Sequence, residues 1–154
     1  MRPIFDGHND VLLRLWSKGG EAAVENFIAG DGQGHMDLPR MEKGGFAGGF
    51  FAIFVPNPND PDHDDNDPNP PPAGEVSTSA ALAPTAAMAA LLLRIARQAP
   101  ERFRLCRTAA EICAARVAGA VAAVMHIEGA ECIDPSFHAL DLLHAAGLRS
   151  IGPV

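Results

Sequence analysis

Apolar side chains recur along this chain with two different periods, and the alternation of those periods predicts a parallel α/β sheet. The short run Pro3-Ile4-Phe5 opens a first strand over Arg2 to Gly7. Val11, Leu12, Leu15 and Trp16 then share one helical face, and Gly19-Gly20 stops that helix. A weaker helical stretch follows from Glu21 to Ala29. Asp37 is placed to cap a short helix in Met36-Asp37-Leu38-Pro39-Arg40-Met41, which Gly44-Gly45 ends. Phe46 to Val55 is nearly continuous in apolar residues, the pattern of a strand buried on both faces.

The second half repeats the scheme. Ser79 to Gln98 is the longest predicted helix, with Met88, Leu91, Leu92 and Ile95 as its apolar stripe. Thr108 and Glu111 form a capping box for a helix ending near Val117. Ala120 to Ile127 is a strand. Asp134-Pro135 supplies a cap and a first-turn proline for a helix whose buried face is Phe137, Leu140 and Leu143, closed by Gly147. Leu148 to Val154 begins a further strand. This order fits the first half of a (β/α)8 barrel better than a closed small domain, because a barrel takes about 250 residues and the chain has 154.

Composition changes the picture in three places. With 47% hydrophobic and 20% charged residues, residues 1–154 are expected to belong to a single globular domain. The net charge of −7 with scattered Lys and Arg argues against a nucleic-acid partner. Residues 56–74 are the exception to globular composition. Pro56 to Ala73 holds seven prolines and five aspartates, and a mobile surface loop is expected there. Asp60, Asp62 and Asp64 imitate the start of a calcium loop, but Asp65 stands where the glycine belongs and Pro71 where the glutamate belongs.

Cys106, Cys113 and Cys132 are odd in number and widely spaced, unlike a disulfide framework or a Cys-x-x-Cys zinc site. The N-terminus lacks the apolar stretch of about 7–15 residues that a secretory signal needs. Ala80 to Leu93 is short of the roughly 20 residues of a membrane span. A cytoplasmic protein without membrane association is the expectation.

The candidate chemistry lies at two strand ends. Asp6-Gly7-His8-Asn9-Asp10-Val11 directly follows the first strand, and strand alternation makes His8 and Asp10 point the same way. One imidazole and one carboxylate form half a site for a divalent transition metal. His126-Ile127-Glu128-Gly129-Ala130-Glu131 ends the strand that starts near Ala120, and alternation puts His126 and Glu128 on one face. Parallel α/β folds gather their chemistry at the carboxyl ends of strands, so the two groups can converge although about 120 residues separate them. Asp6, Asn9 and His126 are expected beside the ligands rather than on the metal, as supports. His35, His63, His138 and His144 read as surface or helix residues. Gly44 to Gly49 reads as tight packing beside a strand, since no helix and no Lys-Ser/Thr follows it.

These residues resemble the membrane (renal) dipeptidase family of zinc metallopeptidases, which includes many bacterial cytoplasmic members. The match rests on Asp6-Gly7-His8-Asn9-Asp10 and Glu128-Gly129-Ala130-Glu131. Met36 to Met41 with the glycines after it, the strand ending at Val55-Pro56, and Ala145-Ala146-Gly147-Leu148-Arg149-Ser150 agree as well. The resemblance implies a (β/α)8-like barrel with two zinc ions. His8 and Asp10 would bind the first, and Glu128 would bridge both. It also places two histidines for the second ion and a proton-transferring aspartate beyond Val154, so no catalytic residue is assigned within this chain. The substrate implied is a small dipeptide. Two other readings stand beside it. One is a barrel hydrolase of the amidohydrolase type, which typically carries His-x-His where this chain has His8-x-Asp10. The other is an inactive metal-binding or assembly fragment that must pair with another polypeptide; the partners expected beside the substrate are a second copy in a homo-oligomer or the missing C-terminal half.

Overall fold

A computed structural model describes residues 3–18, 20–57 and 74–153. The first strand, β1, runs Ile4–Asn9, slightly later than its apolar run suggests. The helices α1 (Val11–Lys18), α2 (Ala23–Ala29) and α3 (Leu38–Lys43) lead to the second strand, β2 (Phe46–Phe54). Then come α4 (Thr78–Gln98), β3 (Phe103–Leu105), α5 (Ala109–Val117), β4 (Val121–Glu128), α6 (His138–Ala146) and β5 (Leu148–Gly152). All five strands pair in parallel. The order is β1-β2-β4, with β3 along the first half of the far edge of β4 and β5 along its second half.

Local chemistry explains most boundaries. Asp37 caps α3, its carboxylate accepting the Arg40 N–H at 2.9 Å while the Arg40 Nε donates to the second oxygen at 2.8 Å. Ser77 caps α4, and Thr108 with Glu111 closes a full capping box on α5. Gly48 and Gly49 allow β2 to lie close to its neighbours: a Cβ at Gly48 would collide with the Ala122 carbonyl, and one at Gly49 would sit 2.9 Å from Asp6 Cβ. That is the packing role expected of this glycine run.

The core fills the space between α1, α4 and one face of the sheet. Leu12, Leu15, Phe27, Met88, Leu92 and Ile95 meet Phe51, Ile53, Phe103, Met125 and Ile127, all at most 2% exposed. Phe103 takes the edges of Phe27 and Phe51 with centroids 6.2 and 5.1 Å apart.

Four expectations are corrected. The strand β3 lies in what sequence left as a link between helices, because three residues are too few to show a period and pairing with Val121–Ala123 creates it. The last helix starts at His138, not after Asp134-Pro135. The Asp134 carboxylate instead accepts the Ser136 and Ala139 N–H groups, Phe137 adopts φ 61, and its ring is exposed. Trp16 lies at the rim of the α1 face and is 40% exposed. The helix that contains Ala80 to Leu93 is longer than that stretch: α4 has 21 residues, long and apolar enough to cross a membrane by length and composition. In this fold it packs Ala81, Thr85, Met88, Ala89, Leu92 and Ile95 inward. Residues 58–73, which carry most of the expected mobile loop, His63 and the calcium-like aspartates, lie outside the described residues, as does Val154.

Candidate metal centre

The end of β1 sets the first two candidate side chains. Between the pairs Asp6 with Gly49 and Asn9 with Phe51, the residues Gly7 and His8 together face Phe50 alone, which is a bulge in β1. A bulge bends a strand and re-aims its side chains. Around it exposure alternates: His8 and Asp10 are exposed, while Asn9 between them is 6% exposed. Asn9 Nδ2 donates to Asp6 Oδ2 and to the Phe50 carbonyl, both at 3.1 Å. The other Asp6 oxygen faces the His8 N–H at 3.5 Å.

Glu128 ends β4, two strands away from β1 across β2. Two strand spacings are about 9–10 Å, a gap that His and Glu side chains together can span. Between them β2 presents Ala52, the fully buried register partner of His126, with Phe54 as the register partner of Glu128. His8 Nε2 lies 3.2 Å from Asp10 Oδ1 and 3.4 Å from Glu128 Oε2. All three ligand atoms fall within 4.8 Å of one another.

The spacing suits a metal. Bonds of about 2.0–2.2 Å in a tetrahedral shell give ligand–ligand edges of roughly 3.3–3.6 Å, close to the His8 separations. A neutral imidazole with two carboxylates is a donor set for a borderline divalent ion such as zinc. All three side chains are a third or more exposed, so the site is open on one side. A cleft of about 390 Å³ adjoins Asp10, walled by Val11, Arg14, His35 and Met36.

His126 stands next to this group without joining it. Its Nδ1 meets Ser150 Oγ at 2.9 Å, and its ring packs edge-on to His8 and Phe50, with centroids 6.0 and 5.9 Å away. Burial, reinforced by His8, holds its pKa below the ordinary histidine value despite the Ser150 bond and the Glu128 charge. Immediately after Glu128, Gly129 turns the chain at φ +91, and its N–H donates to the Gly152 carbonyl at 2.8 Å, tying β4 to β5. Sequence reasoning assigned no role to Ala52 or Ser150. Only the strand register brings them to His126, and neither residue type signals that alone.

The family model for membrane dipeptidase, peptidase family M19, matches residues 1–154. An uncharacterized protein in the PQQ-III 3′ region of Acinetobacter calcoaceticus is 35% identical over 152 residues, 99% of this chain and 48% of that one. A solved metallopeptidase from Rhodobacter sphaeroides, liganded with a phosphinate mimic of the dipeptide L-Ala-D-Ala, is 47% identical with a TM-score of 0.89. It is matched by 99% of this chain over 45% of its own. The crystal structure of a dipeptidase described as a family M19 metallopeptidase is 48% identical at a TM-score of 0.86, with 99% and 42% covered. The chain therefore spans less than half the length of each of these relatives, and its five parallel strands are part of their α/β barrel-like fold.

Proposed function

This chain belongs to the membrane dipeptidase family, peptidase family M19, a family of metal-dependent dipeptidases, and from that premise we propose that it carries the first-metal half of a zinc dipeptidase acting on small dipeptides. The observation that carries this reading is the convergence of His8, Asp10 and Glu128 from two strands separated by a third.

In the proposed mechanism His8, Asp10 and Glu128 would hold the first ion, and Glu128 would be shared with a second. A divalent ion bound there supplies Lewis-acid polarisation of a peptide carbonyl and lowers the pKa of water toward neutrality. The chain's own part is to orient: the bulge aims His8, and the Gly129–Gly152 bond fixes the end of β4. The cleft beside Asp10 is of the size that small ligands occupy. The exposed apolar side chains Ile4 and Phe5 on β1 and Ile151 on β5 fit sheet edges that take further strands of the same barrel. Three free cysteines fit the reducing cytoplasm.

The test is metal analysis and hydrolysis of L-Ala-D-Ala and L-Ala-L-Ala by the purified protein, with the Glu128→Gln variant alongside. Zinc-dependent cleavage that Glu128→Gln abolishes supports the reading. Equal metal content and equal rates in both proteins would sink it.

A further inference from the structure

Asn9 lies between His8 and Asp10 in sequence, yet strand alternation turns it into the protein, where it is 6% exposed. Both protons of its amide are committed, to Asp6 Oδ2 and to the Phe50 carbonyl. Neither acceptor has a proton to offer in return, so the reverse orientation would set Oδ1 against two acceptors; chemistry fixes the amide as drawn. Its Oδ1 is then buried with no donor. A buried acceptor without a partner is costly, and an apolar side chain of the same shape would avoid that cost. An asparagine here is therefore explained by what its NH2 group does.

The two bonds it makes span the place where β1 carries one residue too many. On one side the amide grips Phe50, the single residue of β2 that faces both Gly7 and His8. On the other it grips Asp6, the last residue before the bulge. We propose that Asn9 is a positioning residue for the metal site: its amide N–H groups lock the bulge so that His8 and Asp10 project together toward Glu128. The inference rests on the reading of those three side chains as metal ligands.

The experiment compares wild type with Asn9→Leu, Asn9→Ser and Asn9→Asp. It measures Zn²⁺ affinity by competition with a chromophoric chelator, the visible spectrum of the Co²⁺-loaded protein, and the metal-free melting temperature. Asn9→Leu removes the orphaned oxygen with the donors but leaves Asp6 Oδ2 and the Phe50 carbonyl without them, so its metal-free melting temperature falls by a few degrees while the fold is kept. Its Zn²⁺ affinity falls by about 10–100-fold, the usual cost of losing an outer hydrogen bond at a metal site, and its Co²⁺ bands shift. Asn9→Asp, which sets a carboxylate against two acceptors, loses at least as much affinity. Wild-type affinity and an unchanged spectrum in Asn9→Leu overturn the inference alone. Loss of the metal-free fold in all three variants also overturns it, making Asn9 a folding residue. A wild-type protein that binds no Zn²⁺ overturns the ligand reading and the inference together.

Discussion

Two polar corners of this molecule each set an aspartate directly ahead of a helix and end in opposite states. At the start of α3, the Asp37 carboxylate is 3% exposed and meets its needs within one helical turn, from the Arg40 backbone and guanidinium. Arg40 continues to the carbonyls of Gly34 at 2.9 Å and Gln33 at 2.7 Å, so that corner is closed. At the ends of β1 and β4, His8, Asp10 and Glu128 gather two carboxylates around one imidazole and stay open to solvent. Polar groups that satisfy one another hold a fold together, whereas an excess of acceptors at parallel strand ends waits for a cation.

The strongest way to break this contrast is Asp10→Ala. Removing this proposed ligand is expected to cost more than the about 100-fold in metal affinity that marks outer partners. Because Asp10 is exposed, the metal-free stability should move by less than about 0.5 kcal/mol. Isothermal titration with Zn²⁺ and a metal-free thermal melt measure the two effects, and wild-type affinity would remove Asp10 from the site.

Asp37→Ala should show the opposite pair of results. Loss of a helix cap and of the partner for Arg40 is expected to lower stability by about 2–3 kcal/mol, leaving the Zn²⁺ affinity of the folded protein unchanged. Denaturant melts with and without metal separate these outcomes. The same corner sets a pH dependence. Burial pushes the Asp37 carboxyl up, but the Arg40 backbone N–H, its guanidinium bond and charge, and the Gly32 N–H together hold the pKa below its ordinary value. Its contribution is therefore present above the unfolded value of 3.8 and is lost as pH falls through the lower folded value. Asp37→Asn should differ from wild type by a constant amount from neutral pH down to about 4, and the difference should shrink only below that. A difference that shrinks already between pH 7 and 5 would contradict the assignment.

Ala52→Leu joins the two corners' properties in one change. It overfills a fully buried position on β2 beside His126, at an expected cost of about 1–3 kcal/mol, and it should weaken Zn²⁺ binding as well. Stability loss with undiminished affinity would show that the small residue does not matter to the convergence. The smallest effect belongs to the surface pair of Arg102 with Glu42, at 2.7 and 2.9 Å but more than a third exposed on both sides. Glu42→Gln should cost about 0.2–1 kcal/mol and less in high salt, with metal binding unaffected.

Much of this was legible in the residues themselves. Helix caps at Asp37 and at Thr108 with Glu111 are local, since each is made by atoms three or four positions apart. The long strands β2 and β4 and the apolar stripe of α4 announce themselves because burial on a regular element imposes a period. The chemical identity of His8, Asp10 and Glu128, and their place at strand ends, could likewise be read in order along the chain. What remained hidden was everything that depends on register. The three residues of β3 become a strand only against β4. The bulge at Gly7 and His8, the amide of Asn9 on Phe50, the Ser150 hydroxyl on His126 and the placement of Ala52 beside His126 arise from pairings between strands far apart in sequence. Sequence by itself determined which candidate metal-holding groups this protein has and on which elements they sit. Tertiary structure decided that they meet, because parallel strands are aligned by packing across the whole sheet and by no interaction within any one of them.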